Sequence, residues 1–197
     1  MKDGKVLRDR ALAGSILSDK MFRGSVGWWV PHIETLALEK HKWRRLWISW
    51  LNPNTYLPQS AVDFAGQISR LVTFDFLINN QDRFSGANVL VTPGGNRLYF
   101  MDNALAFFPD ITSPKRSRAR REFYRAGRFS QLLHERIHLL NLKNLKTQII
   151  DKEENVSWTF LMTKDEFKGV LERRDLIITR MHEMAIRHGW DKTMAFP

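Results

Sequence analysis

A long apolar stripe at helical spacing is the feature that most constrains the fold of this chain. Its members lie at positions 64, 65, 68, 71, 72 and 76. The spacing predicts one face of a helix that reaches about Ile78. Ser60 precedes the stripe as a candidate N-cap, with Asp63 as an acidic partner in the first turn. The residues that follow this helix must therefore start from the protein core.

A polar loop and a short hairpin follow the helix. The loop reads NNQDRFSGAN and contains Asp82. Two apolar runs, Val89–Val91 and 98–101, are joined by Thr-Pro-Gly-Gly-Asn, which predicts a β-hairpin. Asp102 and Asn103 end the second run. Because a hairpin reverses the chain, we expect Asp82 and Asp102 to flank one cleft although 20 residues separate them.

Asp82, Asn88 and Asp102 have the side chains that phosphoryl transfer requires. One carboxylate positions the attacking hydroxyl and accepts its proton, while a second carboxylate and an amide oxygen hold Mg²⁺. Mg²⁺ prefers oxygen ligands and takes one or two carboxylates from the protein. The order Asp, Asn, Asp is also that of the catalytic residues of protein kinases. Spacing alone leaves a plainer interpretation open, in which the two aspartates form a turn and a cap.

The residues around both aspartates resemble a known group of enzymes. The chain reads TFDFLINNQDRFSGANVLV before the hairpin turn and LYFMDNALAF after it. These segments resemble the C-terminal lobe of the atypical secretory-pathway-type kinases, which include the Golgi casein kinase, the glycosaminoglycan xylosyl kinase and Four-jointed. In that family a helix ends in a phrase like DFL-x-x-N-x-DR, and a hairpin and a DN dipeptide follow. The resemblance covers residues 22–190. The arrangement also resembles, more distantly, HipA-type bacterial kinases and phosphoinositide kinases.

The resemblance implies a role for each residue of this block. Asp82 would be the catalytic carboxylate with Arg83 beside it, Asp102 and Asn88 would be the metal ligands, and Asn103 would support the nucleotide site. The implied cofactors are ATP and Mg²⁺ or Mn²⁺. The implied reaction is phosphate transfer to a hydroxyl acceptor, a protein Ser/Thr or a sugar, and the basic chain favours an acidic acceptor.

The sequence departs from the kinase pattern in three respects. Asn88 stands six residues after Asp82, where protein kinases place it five residues on, and Ala104 replaces the glycine that follows the DN dipeptide in the family. The residues before Asp82 contain no Gly-rich loop and no Val-Ala-x-Lys-like strand. We therefore expect a catalytic lobe that is incomplete without an N-lobe, which a missing segment or a second chain would supply.

The sequence as a whole predicts an α+β fold that is mainly helical. We expect a protein-kinase-like C-lobe with a small catalytic β-hairpin and no N-lobe. Residues 1–25 are predicted to be a loosely packed lead-in, and residues 26–197 to form the lobe. The segment IETLALEKHKWRRLW is predicted to be helical after Pro31, and residues 118–142 are predicted to be mainly helical.

The last helix has the clearest local signals. Thr163 is the predicted N-cap, and Glu166 completes a capping box. Met162 and Phe167 are placed to form a hydrophobic staple, and Gly189 is the predicted C-cap. These signals predict a helix from residue 164 to about residue 188.

The net charge of +10 and the sequence pI of about 10.1 favour polyanionic partners. Seven basic residues between positions 115 and 128 are interpreted as a solvated face, or alternatively as a contact for phosphate or an acidic substrate. A pseudokinase or interaction module is one alternative function. A nucleic-acid-binding domain is a less favoured one, because no helix-turn-helix, zinc-finger or RNA-recognition signature is present.

Cysteine is absent, which excludes disulfides, thiolate zinc sites and a cysteine nucleophile. The N-terminus is charged and lacks the apolar core of a secretory signal, and no apolar stretch is long enough for a membrane span. These features favour the cytoplasm of a bacterium over the secretory pathway of the animal members of the family.

Two further groups of side chains have a functional and a plainer interpretation. His134 and His138 lie four residues apart on a predicted helix, but no third metal ligand is evident, so we interpret them as surface or core residues. The tryptophans of the segment 28–50 could stack on bases, but packing in the core or at a lobe interface is the favoured interpretation.

Overall fold

A short hairpin and a larger, mainly helical unit make up the described part of the chain. The computed structural model describes residues 16–18, 21–23, 32–109, 118–151, 159–160 and 162–197. The chain divides into the units Met1–Pro31 and His32–Pro197. In the first unit, β1 (Ile16–Ser18) pairs antiparallel with β2 (Met21–Arg23). The remainder of the predicted lead-in, together with Trp28 and Trp29, lies outside the described residues.

The second unit is α+β and mainly helical, as predicted. Its described helices are α1 (His41–Trp50), α2 (Val62–Leu77), α3 (Arg118–Phe123), α4 (Gln131–His138), α5 (Leu142–Gln148), α6 (Lys164–His188) and α7 (Trp190–Thr193). Its described strands are β3 (Glu34–Thr35), β4 (Val89–Val91), β5 (Leu98–Phe100), β6 (Ile150–Asp151) and β7 (Thr159–Phe160). None of the helices described is both long enough and apolar enough to cross a membrane, in keeping with the sequence.

The predicted β-hairpin is present and lies in a three-stranded antiparallel sheet of order β3-β4-β5. The sequence did not predict β3, because the segment after Pro31 was expected to be helical. Leu36 and Leu38 are both buried with Ala37 between them, which is the alternation of an extended segment. The amide of Leu36 donates to the carbonyl of Val89 at 2.8 Å, so this segment follows the sheet and helix α1 begins only afterwards.

Helix α2 ends where the sequence predicted but begins differently. Ser60 is not the N-cap: it lies inside a 3₁₀ turn, Gln59–Ala61, and the helix starts from Ala61 without a side-chain cap. Pro58 presets the backbone for this turn, and its carbonyl accepts from the amide of Ala61 at 2.9 Å. The turn therefore gives the amide of Ala61 a backbone partner, so the start of the helix does not depend on a serine side chain.

Helix α6 has the predicted ends. The amide of Thr163 donates to Glu166 Oε2 at 2.6 Å, and the amide of Glu166 donates to Thr163 Oγ1 at 3.3 Å, which completes the capping box. Met162 and Phe167 lie together in one small buried cluster, as the staple requires. Gly189 ends the helix with φ of 90°, a conformation that favours glycine.

Aromatic side chains fill much of the core around α2. Trp47 is fully buried, and its indole N–H donates to the carbonyl of Leu38 at 3.0 Å. Phe76 of α2 stacks on Phe123 of α3 with ring centroids 4.6 Å apart. Trp43 and Trp50 pack against the core as well, so the described tryptophans serve packing as predicted.

Part of the basic cluster pairs with a buried acid. Glu122 is only 1% exposed, and its carboxylate accepts from Arg125 at 2.7 Å and from Arg44 at 3.2 Å. Arg121 lies 3.6 Å from the same carboxylate. A buried carboxylate is stable only when it is paired and hydrogen-bonded, so these arginines neutralise Glu122.

Arg128 is also structural. Its side chain is largely buried and donates to the carbonyls of Trp50 and Thr55, each at 2.7 Å. The prediction of a solvated basic face is therefore wrong for Arg128, whereas Arg121 is exposed beside Glu122. Positions 115 and 116 of the cluster lie outside the described residues.

We expect Gly169→Ala to destabilise the protein, although alanine is the better helix former by about 1 kcal/mol. A Cβ at Gly169 of α6 would lie 2.6 Å from the carbonyl oxygen and 3.0 Å from the Cα of Pro109, and this backbone must move. Overpacking of this kind costs about 1–3 kcal/mol. Urea unfolding measures the difference.

Gly66→Ala on α2 is the matched control. Its Cβ would meet only the Phe196 ring, at 3.3 Å, so we expect a smaller loss than at Gly169. Equal or greater stability of Gly169→Ala relative to the unmodified chain would contradict the close approach of α6 to Pro109.

Candidate functional site

The loop after α2 is held against the segment that follows the hairpin. Asn79 takes a left-handed conformation with φ of 53°, which asparagine tolerates, and turns the chain out of the helix. The amide of Gln81 donates to the carbonyl of Leu105 at 2.9 Å, and the amide of Phe107 donates to the carbonyl of Ile78 at 2.5 Å. These bonds bring the residues after Asp102 back beside the loop that contains Asp82.

A buried ion pair joins the end of α2 to this loop. Asp75 lies on α2 and Arg83 lies in the loop, and both side chains are fully buried. The Arg83 Nε donates to both carboxylate oxygens of Asp75, each at 3.1 Å. Burial raises the pKa of Asp75 to about 7, while the charge and hydrogen bond of Arg83 and a hydrogen bond from Asn80 oppose the rise. Asp75 therefore needs Arg83 to keep its charge.

The other nitrogens of Arg83 bind the two ends of the hairpin. Nη1 donates to the carbonyl of Asn88 at 2.8 Å and to the carbonyl of Met101. Nη2 donates to Asn103 Oδ1 at 2.6 Å. Because Met101 and Asn103 flank Asp102, a single guanidinium binds the backbone carbonyl before that aspartate and the side chain after it.

Asp82 is half-buried and is oriented by two asparagines. Its backbone amide donates to Asn80 Oδ1 at 3.0 Å. The side-chain amide of Asn88 donates to Asp82 Oδ2 at 2.9 Å and to the Asp82 carbonyl at 3.0 Å. The carboxylate is therefore fixed at one oxygen and still reachable from solvent.

Phe84 anchors the loop in the core. Its ring is buried and stacks on Trp47 with centroids 6.4 Å apart. Arg118 donates to the Phe84 carbonyl at 2.7 Å, and its guanidinium carbon lies 5.4 Å from the centre of the same ring. Since Phe84 follows Arg83 directly, packing and hydrogen bonds hold both residues after Asp82 in place.

Asp102 has a left-handed backbone and an exposed side chain. Its φ is 53°, a conformation that aspartate and asparagine adopt more readily than most other residues. Asp102 Oδ1 accepts from the amide of Ala104 at 3.0 Å. The amide of Met101 donates to the Asn88 carbonyl at 3.0 Å, so Asp102 leaves the hairpin beside the residue predicted to share its metal.

Arg83 links the segments that contain the predicted site residues. Arg83 contacts Asn88 and Asn103 directly, adjoins Asp82 in sequence and holds both neighbours of Asp102. Within this set, carboxylate and amide oxygens are the available metal donors. Such oxygen ligands suit Mg²⁺ or Mn²⁺. The donor chemistry therefore fits the metal that the sequence resemblance implies.

Sequence reasoning missed two positioning residues. Asp75 pairs with Arg83, and Asn80 accepts from the Asp82 amide and donates to Asn103 Oδ1 at 3.2 Å. Asp75 stands between two phenylalanines in an apolar helix, and this placement of an acid is a signal for a buried partner. The sequence does not predict which arginine pairs with Asp75, because the pairing depends on tertiary packing.

A separate cleft of about 770 Å³ lies elsewhere on the unit. Gln67 and Arg70 of α2, Asn96 of the hairpin turn and Pro197 are among the residues that line it. Neither Asp82 nor Asp102 is among its lining residues. The two aspartates therefore do not line this cleft.

Comparisons with known proteins provide no relative for this chain. No protein-family profile matches it, and neither a curated protein nor a solved structure is significantly similar to it. The interpretation of the site therefore depends on the contacts of its own residues.

We expect Arg83→Met to reduce stability by an amount that grows with pH. Removing one partner of a buried ion pair costs about 3–5 kcal/mol. Without Arg83, the pKa of Asp75 rises above its present value of about 7. A carboxyl whose pKa is higher in the folded than in the unfolded state binds more protons when folded, so stability is lost as pH rises through the folded pKa.

In the unmodified chain, the free energy of unfolding stops falling near pH 7, the pKa of Asp75. In Arg83→Met it continues to fall above pH 7, by up to about 1.4 kcal/mol per pH unit. Urea unfolding between pH 7 and pH 9 measures the two slopes. Lys168→Met is the control, because its ion pair with Glu172 is exposed and contributes under about 1 kcal/mol. Parallel pH profiles of Arg83→Met and the unmodified chain would contradict this account of Asp75.

Proposed function

We propose that the unit His32–Pro197 is the catalytic lobe of an atypical ATP-dependent kinase that transfers phosphate to a hydroxyl acceptor. The observation that carries this proposal is the set of hydrogen bonds from Arg83 to both ends of the hairpin. These bonds fix an acidic loop and an acidic strand end next to one another. The sequence resemblance to the secretory-pathway-type kinases supports the same assignment.

Asp82 is the proposed catalytic carboxylate. It is half-buried, and the Asn88 amide binds Oδ2 at 2.9 Å, which leaves Oδ1 as the atom to receive the acceptor hydroxyl. A carboxylate in this role orients the hydroxyl and takes its proton as the phosphate is transferred. Positioning by Asn80, Asn88 and Arg83 reduces the movement that the carboxylate needs before reaction.

Asp102 and Asn88 are the proposed metal ligands. Asp102 Oδ1 is bound by the Ala104 amide, so Oδ2 is the oxygen that a metal would take. The side-chain NH₂ group of Asn88 donates to Asp82, so the side-chain oxygen of Asn88 is the atom that would bind a metal. Bound Mg²⁺ or Mn²⁺ would neutralise charge on the ATP phosphates. The hydrogen bond from Arg83 to Asn103 holds the residue that follows Asp102.

The proposed acceptor is a protein Ser/Thr or a sugar hydroxyl on an acidic molecule. A net charge of +10 attracts such acceptors. We further propose that an N-lobe, from another segment or a second chain, contributes the lysine that kinases place on the phosphates, because the described residues contain no strand with that pattern.

A nucleic-acid-binding role has less support from the basic residues. Arg118 and Arg128 are bound to backbone carbonyls, and Arg44 and Arg125 are bound to Glu122. Arginines that are held in this way have few donors left for phosphates of a duplex. A kinase lobe uses Asp82 and Asp102, which a nucleic-acid interface would leave without a role.

With the proposed N-lobe supplied, we expect Asp82→Asn to lower phosphate transfer from Mn²⁺·ATP to an acidic protein such as casein by at least about 100-fold, which is the lower range of general-base effects. Radiolabel transfer from γ-labelled ATP measures it. Asp63→Asn is the matched control, because Asp63 is an exposed aspartate in the first turn of α2. Transfer at the unmodified rate in Asp82→Asn would contradict the assignment.

Nucleotide binding tests the metal ligand independently of turnover. We expect ATP to bind more tightly with Mn²⁺ than without it, and we expect Asp102→Asn to remove that difference, as titration calorimetry can measure. No binding at millimolar Mn²⁺·ATP with the proposed N-lobe supplied would favour the interaction module over the kinase.

A further inference from the structure

Three histidines converge where helices α4 and α6 pack together. His134 and His138 lie four residues apart on α4, so one turn of helix places them on the same face. His182 projects from α6, 48 residues further along the chain than His134. The sequence indicated only the pair on α4, and the fold adds the third side chain.

The distances between the ring nitrogens are those of a metal site. His134 Nε2 lies 3.1 Å from His138 Nε2 and 3.5 Å from His182 Nε2. Zn–N bonds of about 2.05 Å at tetrahedral angles place neighbouring ligand nitrogens about 3.3 Å apart. The ligand atoms of all three residues lie within 4.8 Å of one another. His138 and His182 are exposed and can rotate to shorten the longest of these distances.

We propose that His134, His138 and His182 form a Zn²⁺ site with its fourth position open to solvent. Three histidines and one exchangeable ligand are a common donor set for zinc. The exposure of His138 and His182 keeps the fourth position accessible, which is typical of catalytic or exchangeable zinc and unlike a closed structural site.

The donor set selects zinc over the metals proposed for the kinase site. Imidazole nitrogen suits Zn²⁺ and its first-row neighbours, whereas Mg²⁺ and Mn²⁺ prefer the oxygens of Asp82, Asn88 and Asp102. The chain therefore has two donor sets of different chemistry. The zinc site does not depend on the proposed kinase activity, and either proposal can fail without the other.

The surroundings of His134 limit the movement of its ring. Trp190 packs edge-on against the His134 ring with centroids 5.3 Å apart, which limits how that ring can turn. His134 is thus held in place, and the two exposed histidines can rotate towards it.

Zinc at this site would link α4 to α6 across a long stretch of sequence. A ligand that binds only the folded protein stabilises it in proportion to the logarithm of its concentration over Kd. The thermal unfolding temperature of the chain should therefore rise with added Zn²⁺ and fall back when a chelator is added.

Titration calorimetry with ZnCl₂ at pH 7.5 tests the site. We expect one Zn²⁺ per chain, and we expect His182→Gln and His138→Gln each to weaken binding more than the roughly 10- to 100-fold that loss of an outer-shell partner causes. Both residues are exposed, so these variants should fold normally, as circular dichroism can verify. His41→Gln is the matched control, because His41 is an exposed histidine on α1 and lies outside the cluster.

Co²⁺ reports the geometry directly. We expect the intense visible absorption of a four-coordinate Co²⁺ ion in the unmodified chain and in His41→Gln, and its loss in His182→Gln. Failure of the unmodified chain to bind Zn²⁺ below about 100 µM, which corresponds to a binding free energy of only some −5.5 kcal/mol, would overturn the proposal. Equal Zn²⁺ affinity of His182→Gln and the unmodified chain would overturn it as well.

Discussion

The ion pair between Asp75 and Arg83 is the interaction on which the candidate site depends. Both side chains are fully buried, and an isolated charge in such a place would be very costly. The pair persists because Arg83 uses its remaining donors on Asn88, Met101 and Asn103. Loss of either partner would leave a buried charge, and loss of Arg83 would also free both ends of the hairpin. Stability and site geometry are therefore coupled through one guanidinium.

The parts of the fold that the sequence predicts are those with local signals. The capping box of Thr163 and the turn between β4 and β5 each depend on residues close in sequence, and both are present. Ser60 fails as a cap because Pro58 starts a 3₁₀ turn before it, a competition that spacing alone does not resolve. The return of the chain after Asp102 to the loop that contains Asp82 follows from chain reversal. The choice of Arg83 as partner of Asp75 depends on tertiary packing and could not be predicted.

The charged and titratable residues of this unit fall into groups with different tasks. Arg44 and Arg125 bind the buried carboxylate of Glu122. The oxygen donors around Asp102 gather at the end of the hairpin. The imidazoles of His134 and its two partners gather between α4 and α6. His182 joins its partners only through the packing of the two helices, which is why the pair on α4 gave no sign of a third ligand.

The most direct test of the central claim is a titration of the ¹⁵N-labelled chain with Mn²⁺ and ATP, followed by NMR. Paramagnetic Mn²⁺ broadens the amide signals nearest to it. The account predicts that the amides of Asp82, Asn88, Asp102 and Asn103 broaden first, and that Asp102→Asn removes this selectivity. Broadening confined to the residues around His134, or spread evenly over the chain, would contradict a metal–nucleotide site held by Arg83.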